Sequence, residues 1–356
     1  MKKAVRQSNI ELLRIVLMVM IIAHHLIVHG MGLGKMSTPG YEDDGFTYYG
    51  SIINCFLIAA VNTFIFISGY WGIKLKLRSI FLFVVQAVFY SVSLFLLFSF
   101  INPNTWSWKE LIFSFFPISN FVWWFISAYL CLYFLSPLLN KGVEMIDRRQ
   151  MNIVLGGFLF FDCISGGVFY STISLNGYNF FHFIVIYLIG QYMKTYQINI
   201  KKPILLLFLS ISLLLILVLI FLSMGKYGFT WRFFAYNNPI IMMIAIFLFY
   251  SFKSINIKYN NKINLLAGSV LGIYMIHEYI LIRNILTGII QAIKEYNWGN
   301  LTLCLSIFGL ALLIFIICAA IELCRMYITN KLTDKLFIAV HNRKAKRNKQ
   351  ANVIKK

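Results

Sequence analysis

The sequence predicts an all-α, polytopic integral membrane protein of about ten transmembrane helices, with the N-terminus and the C-terminus both cytoplasmic. Three observations carry that expectation. The first is composition: 60% of the 356 residues are hydrophobic and 12% are charged, whereas about a quarter of a soluble domain is charged. The second is segmentation, because the apolar residues fall in blocks near the about 20 residues that a helix needs to cross a bilayer. The third is the placement of charge. With the N-terminus inside, 25 of the 32 Lys and Arg residues fall on inner segments or the C-terminal tail, six on outer segments and one, Arg14, within the first span. That bias follows the positive-inside rule. The net charge of +20 is therefore first an orientation signal, and the expected location is the cell membrane, as a multi-pass protein.

The spans follow in order. The first, 10–29, comes after a basic opening and imitates a secretory signal, but it carries Glu11, Arg14, His24 and His25 and lacks a small-residue cleavage site. It is read as a retained helix. Runs at 51–72 and 80–101 come next, and the run at 121–139 opens with Trp123 and Trp124 and holds Pro137 near its end. The two indoles are expected to anchor that span at the membrane interface. The run at 151–170 contains Asp162, and the short run at 179–193 contains His182. After 203–224 and the short 236–252, the run at 264–283 holds His277, Glu278 and Arg283, and 301–324 closes the set. All six cysteines lie inside apolar runs without metal-binding spacing, so they are read as packing residues and no metal is expected.

The longest outer connections, 30–50 and 102–120, hold Glu42, Asp43, Asp44, Trp106 and Trp108 and are too short for a soluble domain. The chain thus divides into a transmembrane unit, 1–330, and a basic cytoplasmic tail, 331–356. The end of that tail, His341 to Lys356, suits anionic lipid headgroups at the inner leaflet. Nucleic acid is a poor partner for it, since no aromatic platform accompanies the charge.

Ionisable groups inside a membrane are costly and ask for a function. Arg14 and His25 are eleven residues apart, about three helical turns and roughly 16 Å of rise, so they share one face across the middle of the bilayer. Glu11, three residues before Arg14, is spaced to pair with it, while His24 points about 100° away. Alternating the spans places His182 and His277 near the depth of His25. Such a layer of imidazoles suits proton transfer to or from a substrate hydroxyl. A guanidinium on the inner side suits phosphate, and acyl-coenzyme A, with phosphates at one end and a thioester at the other, fits both. A proton-coupled transporter would use the same residues as a relay. A polysaccharide flippase or polymerase is a further alternative, set back by the lack of an arginine-lined outer loop for pyrophosphate.

The run NIELLRIVLMVMIIAHH resembles the signature of the acyltransferase family 3 membrane proteins at Glu11, Arg14 and His25. FIFISGYWGIK resembles that family's Ser-Gly-aromatic turn at Ser68, Gly69 and Tyr70, and VWWFISAYLCLYFLSPLLN its fourth span, with Trp124, Phe125, Tyr129 and Pro137. GIYMIHEY is similar to its Tyr-x-x-His element at Tyr274 and His277. The resemblance implies an integral membrane O-acyltransferase of the O-acetyltransferase type. Such a protein moves an acyl group, usually acetyl, from cytoplasmic acyl-CoA to a sugar hydroxyl of a surface or lipid-linked polysaccharide. It implies His25 as general base or acyl carrier, with Arg14, oriented by Glu11, on coenzyme A phosphate. Many members carry paired arginines after the second span; here Arg78 stands with Lys74 and Lys76, and Arg78 or Lys76 is expected to assist Arg14. His277, Tyr274, Trp124 and Tyr129 are the candidates for contact with the acceptor. His277 would alternatively orient His25, and Asp162 and His182 are expected to bond neighbouring helices.

Overall fold

The computed structural model describes residues 6–42, 46–168, 174–296, 302–303 and 305–329. Lys2, Lys3, Asp43, Asp44, Cys304 and the basic tail from 331 onward lie outside the described residues. Within the described residues the fold is all-helical, without a strand. A helix bonds its own backbone, which is what a segment in hydrocarbon requires.

Helix α1 (Ser8–His25) continues into a π-helical turn, Leu26–Gly30. A short 3-10 turn (Leu33–Ser37) leads to α2 (Thr47–Leu57) and α3 (Ala60–Trp71), and α4 (Leu77–Ile101) and the short α5 (Trp108–Ser114) follow. Then come α6 (Trp124–Met145) and α7 (Arg148–Leu159), which runs into a second π-helical turn (Phe160–Val168). The remainder is α8 (Phe180–Thr195), α9 (Pro203–Ser223), α10 (Tyr227–Arg232), α11 (Pro239–Lys253), α12 (Asn261–Ala267), α13 (Val270–His277), α14 (Ile280–Glu295) and α15 (Leu305–Thr329). At several of these starts a side chain takes up an otherwise orphaned amide. Asp147 and Gln150 form a capping box on α7, and Asn179, Asn238 and Asn260 cap α8, α11 and α12.

Five stretches are long and apolar enough to cross a membrane: Ser8–Gly30, Thr47–Trp71, Leu77–Ile101, Pro203–Ser223 and Leu305–Thr329. The other five expected runs coincide with shorter or less apolar helices. The run expected at 264–283 differs in kind. It breaks at Glu278 and Tyr279, where α14 turns away from α12 and α13 by 81°. Helix α14 is amphipathic, with Arg283, Lys294 and Glu295 among its residues, and that polar spacing hid it in a search for apolar runs.

The centre is formed by α1, α3, α8 and α11, which bury most of their surface, whereas α9 faces largely outward. Helices α3 and α8 approach backbone to backbone. A Cβ at Gly69 would lie 2.3 Å from the Tyr187 carbonyl oxygen, and one at Gly190 would lie 2.7 Å from the Tyr70 amide nitrogen. Small residues permit such contact in membrane bundles. The Ser-Gly-aromatic segment is thus the last turn of α3, and its glycine is where α3 meets α8.

Three expectations change. Trp123 is buried (1% exposed), and Trp124 packs inside the bundle against Phe183 and Tyr236, so neither indole is an interfacial anchor. Cys55, Cys163 and Cys318 are buried packing residues, but Cys131 and Cys324 are exposed. Arg325, just past the span expected at 301–324, lies within α15 and forks onto Glu322, with Nε–Oε2 of 2.7 Å and Nη2–Oε1 of 2.6 Å. Gln86 and Tyr90 of α4 also donate to Glu322. A buried carboxylate this fully paired ties α15 to α4.

Candidate active site

Arg14 and His25 line one cavity of about 290 Å³, as their shared helix face requires. Arg6 and Arg14 stand at one end of it, and His25, Trp124, Tyr236 and Tyr274 at the other. Between them the wall is largely apolar, from Met18, Ile21, Phe64, Phe83 and Leu271. Glu11 lies 3.7 Å from Arg14 Nη1, the pairing expected from their spacing. The helix widens into its π turn immediately after His25, a distortion frequent at functional sites.

The state of His25 follows from its neighbours. His277 Nδ1 donates to the Ile273 carbonyl at 2.7 Å, so in neutral His277 the other nitrogen, Nε2, carries a lone pair. That nitrogen lies 3.1 Å from His25 Nδ1, and Glu278 Oε2 lies 2.9 Å from the same atom. A lone pair and a carboxylate oxygen both converging on Nδ1 require a proton there. The Nε2 of His25 is then the basic nitrogen. Glu278 is held in turn by Arg283, whose Nη1 donates to Oε1 at 2.9 Å, with His29 Nε2 at 3.8 Å from the same oxygen. The break between α13 and α14 makes this possible, because it sets Glu278 at a corner with Arg283 on the following turn.

The structure joins His25 to His277, as one sequence alternative held, but it separates His182 from them. Fully buried His182 bonds Asp162 at 2.7 Å and Asn62 at 2.9 Å, which ties α8 to the π turn and to α3. His24 faces α2, 2.6 Å from Asn54 Oδ1. Tyr129 lines the cavity with its hydroxyl 3.1 Å from Ser68 Oγ and its ring stacked on Phe125. The hydroxyl of Tyr274 is buried without a hydrogen-bond partner among the described residues, on a ring whose centroid is 6.4 Å from that of His25. Lys76 and Arg78 are exposed at the start of α4 and do not line the cavity; Arg6 stands there instead.

Sequence reasoning gave no role to Glu278, Arg6 or Glu322. For Glu278 a signal existed, a carboxylate next to a histidine inside an apolar run. Its partner became visible only when α1 and α13 met. His25, His277 and Glu278 offer three ligand atoms within 4.8 Å of one another. Among the described residues His25 Nδ1 is hydrogen-bonded to His277 Nε2 at 3.1 Å and ion-paired with Glu278 Oε2 at 2.9 Å.

The whole arrangement sets an imidazole beside a carboxylate at one end of a long cavity, with guanidinium groups at the other. No curated protein and no solved structure matches the chain. A family model described as an acyltransferase domain matches residues 7–321, a stretch that holds α1 to α14, Glu278 and, Arg6 excepted, the residues that line the cavity, and the chain therefore belongs to acyltransferase family 3.

Proposed function

We propose that this protein is a multi-pass O-acyltransferase of the cell membrane, with ten spans and both termini cytoplasmic, that transfers acetyl from acetyl-CoA to a sugar hydroxyl of a surface or lipid-linked polysaccharide. The observation that carries the reading is the single cavity joining Arg14 to His25. Arg6 and Arg14 would hold coenzyme A phosphates, since a guanidinium meets phosphate oxygens with paired donors. The apolar wall would take the extended arm and place the thioester beside His25. Lys76 and Arg78, exposed before the turn of α4 that bears Phe83, would add charge at the mouth.

In the transfer, His25 Nε2 accepts the proton of the sugar hydroxyl as its oxygen attacks the thioester carbonyl carbon. The carbon–sulfur bond then breaks and the proton passes from His25 to the departing thiolate. Glu278 and His277 keep Nδ1 protonated and the ring in place, and the carboxylate stabilises the imidazolium that forms. Tyr274, whose buried hydroxyl has no hydrogen-bond partner among the described residues, would donate to the oxygen that gains charge in the tetrahedral transition state. Trp124 and Tyr129 shape the wall beside it. The basic tail would hold anionic lipid at the inner leaflet.

Inside-out vesicles supplied with acetyl-labelled acetyl-CoA test the reading. Label on membrane glycan is the expected result. Movement of glycan or ions without label on glycan would replace acyl transfer with transport.

A further inference from the structure

Beyond the acyl cavity lies a second recess of about 310 Å³ at the same end of the bundle as His25. Three connections build it. Ser37 follows α1, Asn176 and Tyr178 precede α8, and Trp231 and Arg232 come from α10. The two spaces are one aromatic layer apart. The Tyr178 ring, which faces the recess, lies 4.7 Å from Tyr236 and 5.2 Å from Trp124, both of which face the acyl cavity.

This layer is held under strain. Leu175, Asn176 and Gly177 take successive left-handed conformations, with φ of 44°, 58° and 83°. Leucine rarely occupies that region. Such strain persists only where the surroundings impose it, and it gathers at functional sites. Here the surroundings are specific. The Tyr236 amide donates to the Asn176 carbonyl at 3.0 Å, and a Cβ on Gly177 would lie 2.7 Å from that of Tyr236. Beneath, Asn62 donates to the Tyr236 carbonyl at 2.8 Å, and Asn237 donates to Ser174 at 3.0 Å. The buried Asp162–His182 pair thus braces both sides of the layer. Tyr178 is 39% exposed on the recess side of the layer.

A recess that offers aromatic faces together with a guanidinium, an amide and a hydroxyl has the chemistry of a saccharide site. The apolar face of a pyranose lies on aromatic rings, and its hydroxyl oxygens accept from polar side chains. We propose that this recess binds the acceptor saccharide. A sugar ring lies on Trp231 and Tyr178, Arg232 and Asn176 bond its oxygens, and the Tyr178–Tyr236–Trp124 layer is the partition its reacting hydroxyl crosses to reach His25. The proposal rests on the acyl-transfer reading for the identity of its ligand as acceptor.

The test uses the full chain in lipid nanodiscs, with maltotriose as a saccharide probe followed by saturation-transfer NMR, alongside acetyl-CoA binding and acetyl transfer to membrane glycan. Trp231→Ala and Tyr178→Ala are expected to abolish the maltotriose signal and raise the acceptor KM about tenfold, with acetyl-CoA affinity unchanged. Trp231→Tyr, which keeps an aromatic face, is expected to retain the signal. Wild-type acceptor KM in both alanine variants, with transfer intact, would overturn the proposal. An absence of acetyl-CoA binding and transfer in the unmodified protein would overturn the acyl-transfer reading instead, while a maltotriose signal lost in Trp231→Ala would still support the saccharide site.

Discussion

Replacing Glu278 by glutamine keeps the size and shape of the side chain and removes one charge. In the structure that charge lies 2.9 Å from His25 Nδ1. Two unit charges at this distance attract by about 6 kcal/mol at an effective dielectric constant of 20. When His25 has taken about half of the hydroxyl proton in the transition state, about half of that attraction, some 3 kcal/mol, stabilises the barrier top, which corresponds to about 10²-fold in rate. Arg283 pushes the same way. Its Nη1 bonds Glu278 at 2.9 Å, and without the carboxylate its charge opposes the imidazolium. The His277 nitrogen still accepts from Nδ1 in the variant, so the tautomer is retained and the loss stays below the about 10⁴-fold seen where an orienting carboxylate also sets the tautomer. The assay is acetyl transfer at saturating acetyl-CoA in vesicles matched for protein level, with KM for acetyl-CoA measured alongside. The expectation is a kcat lower by about two decades with KM within about twofold, and partial recovery in Glu278→Asp. A kcat within about twofold of the unmodified protein would refute the role given to the carboxylate.

Other consequences follow from the same geometry. Tyr274→Phe removes only the buried hydroxyl, and kcat should fall by about 10²-fold or more with acetyl-CoA binding unchanged, as for the loss of one oxyanion donor; unchanged kcat would remove Tyr274 from the chemistry. Asp162→Ala leaves His182 buried without its carboxylate, a change worth about 3–5 kcal/mol in stability, to be read as a lower unfolding temperature in detergent. Gly190→Ala would press a methyl group to 2.7 Å from the Tyr70 amide nitrogen, and overpacking of this kind costs about 1–3 kcal/mol. Its unfolding temperature should fall while a matched Gly156→Ala, where a Cβ meets nothing within 4 Å, leaves it unchanged.

How much of this was legible in the sequence depends on the range of the signal. The face shared by Arg14 and His25 is a property of one helix, and eleven residues of α1 state it outright. The pairing of Glu11 with Arg14 is equally local. The contact of His25 with His277 and Glu278 joins residues about 250 positions apart, so the sequence showed imidazoles at similar depth without saying which would meet. His182 lay at that depth too, but α8 packs on α3 and carries it to Asp162 and Asn62. The indoles of Trp123 and Trp124 misled for a related reason. A pair of tryptophans at the start of an apolar run signals an interface on average, and only tertiary packing shows that Tyr178 and Tyr236 lie against Trp124 and Tyr279 beside Trp123. The bend at Glu278 escaped because hydropathy follows burial in lipid and is silent on where a backbone turns.

The most direct test of the account is the His25→Ala variant, assayed in two halves on the full chain: acetyl-CoA binding, and acetyl transfer to membrane glycan. Arg14 and the apolar wall remain in place, so acetyl-CoA affinity should stay within a few-fold of the unmodified protein while transfer falls by at least 10²–10⁴-fold, the contribution of a positioned base. Transfer at the unmodified rate by His25→Ala would contradict the account.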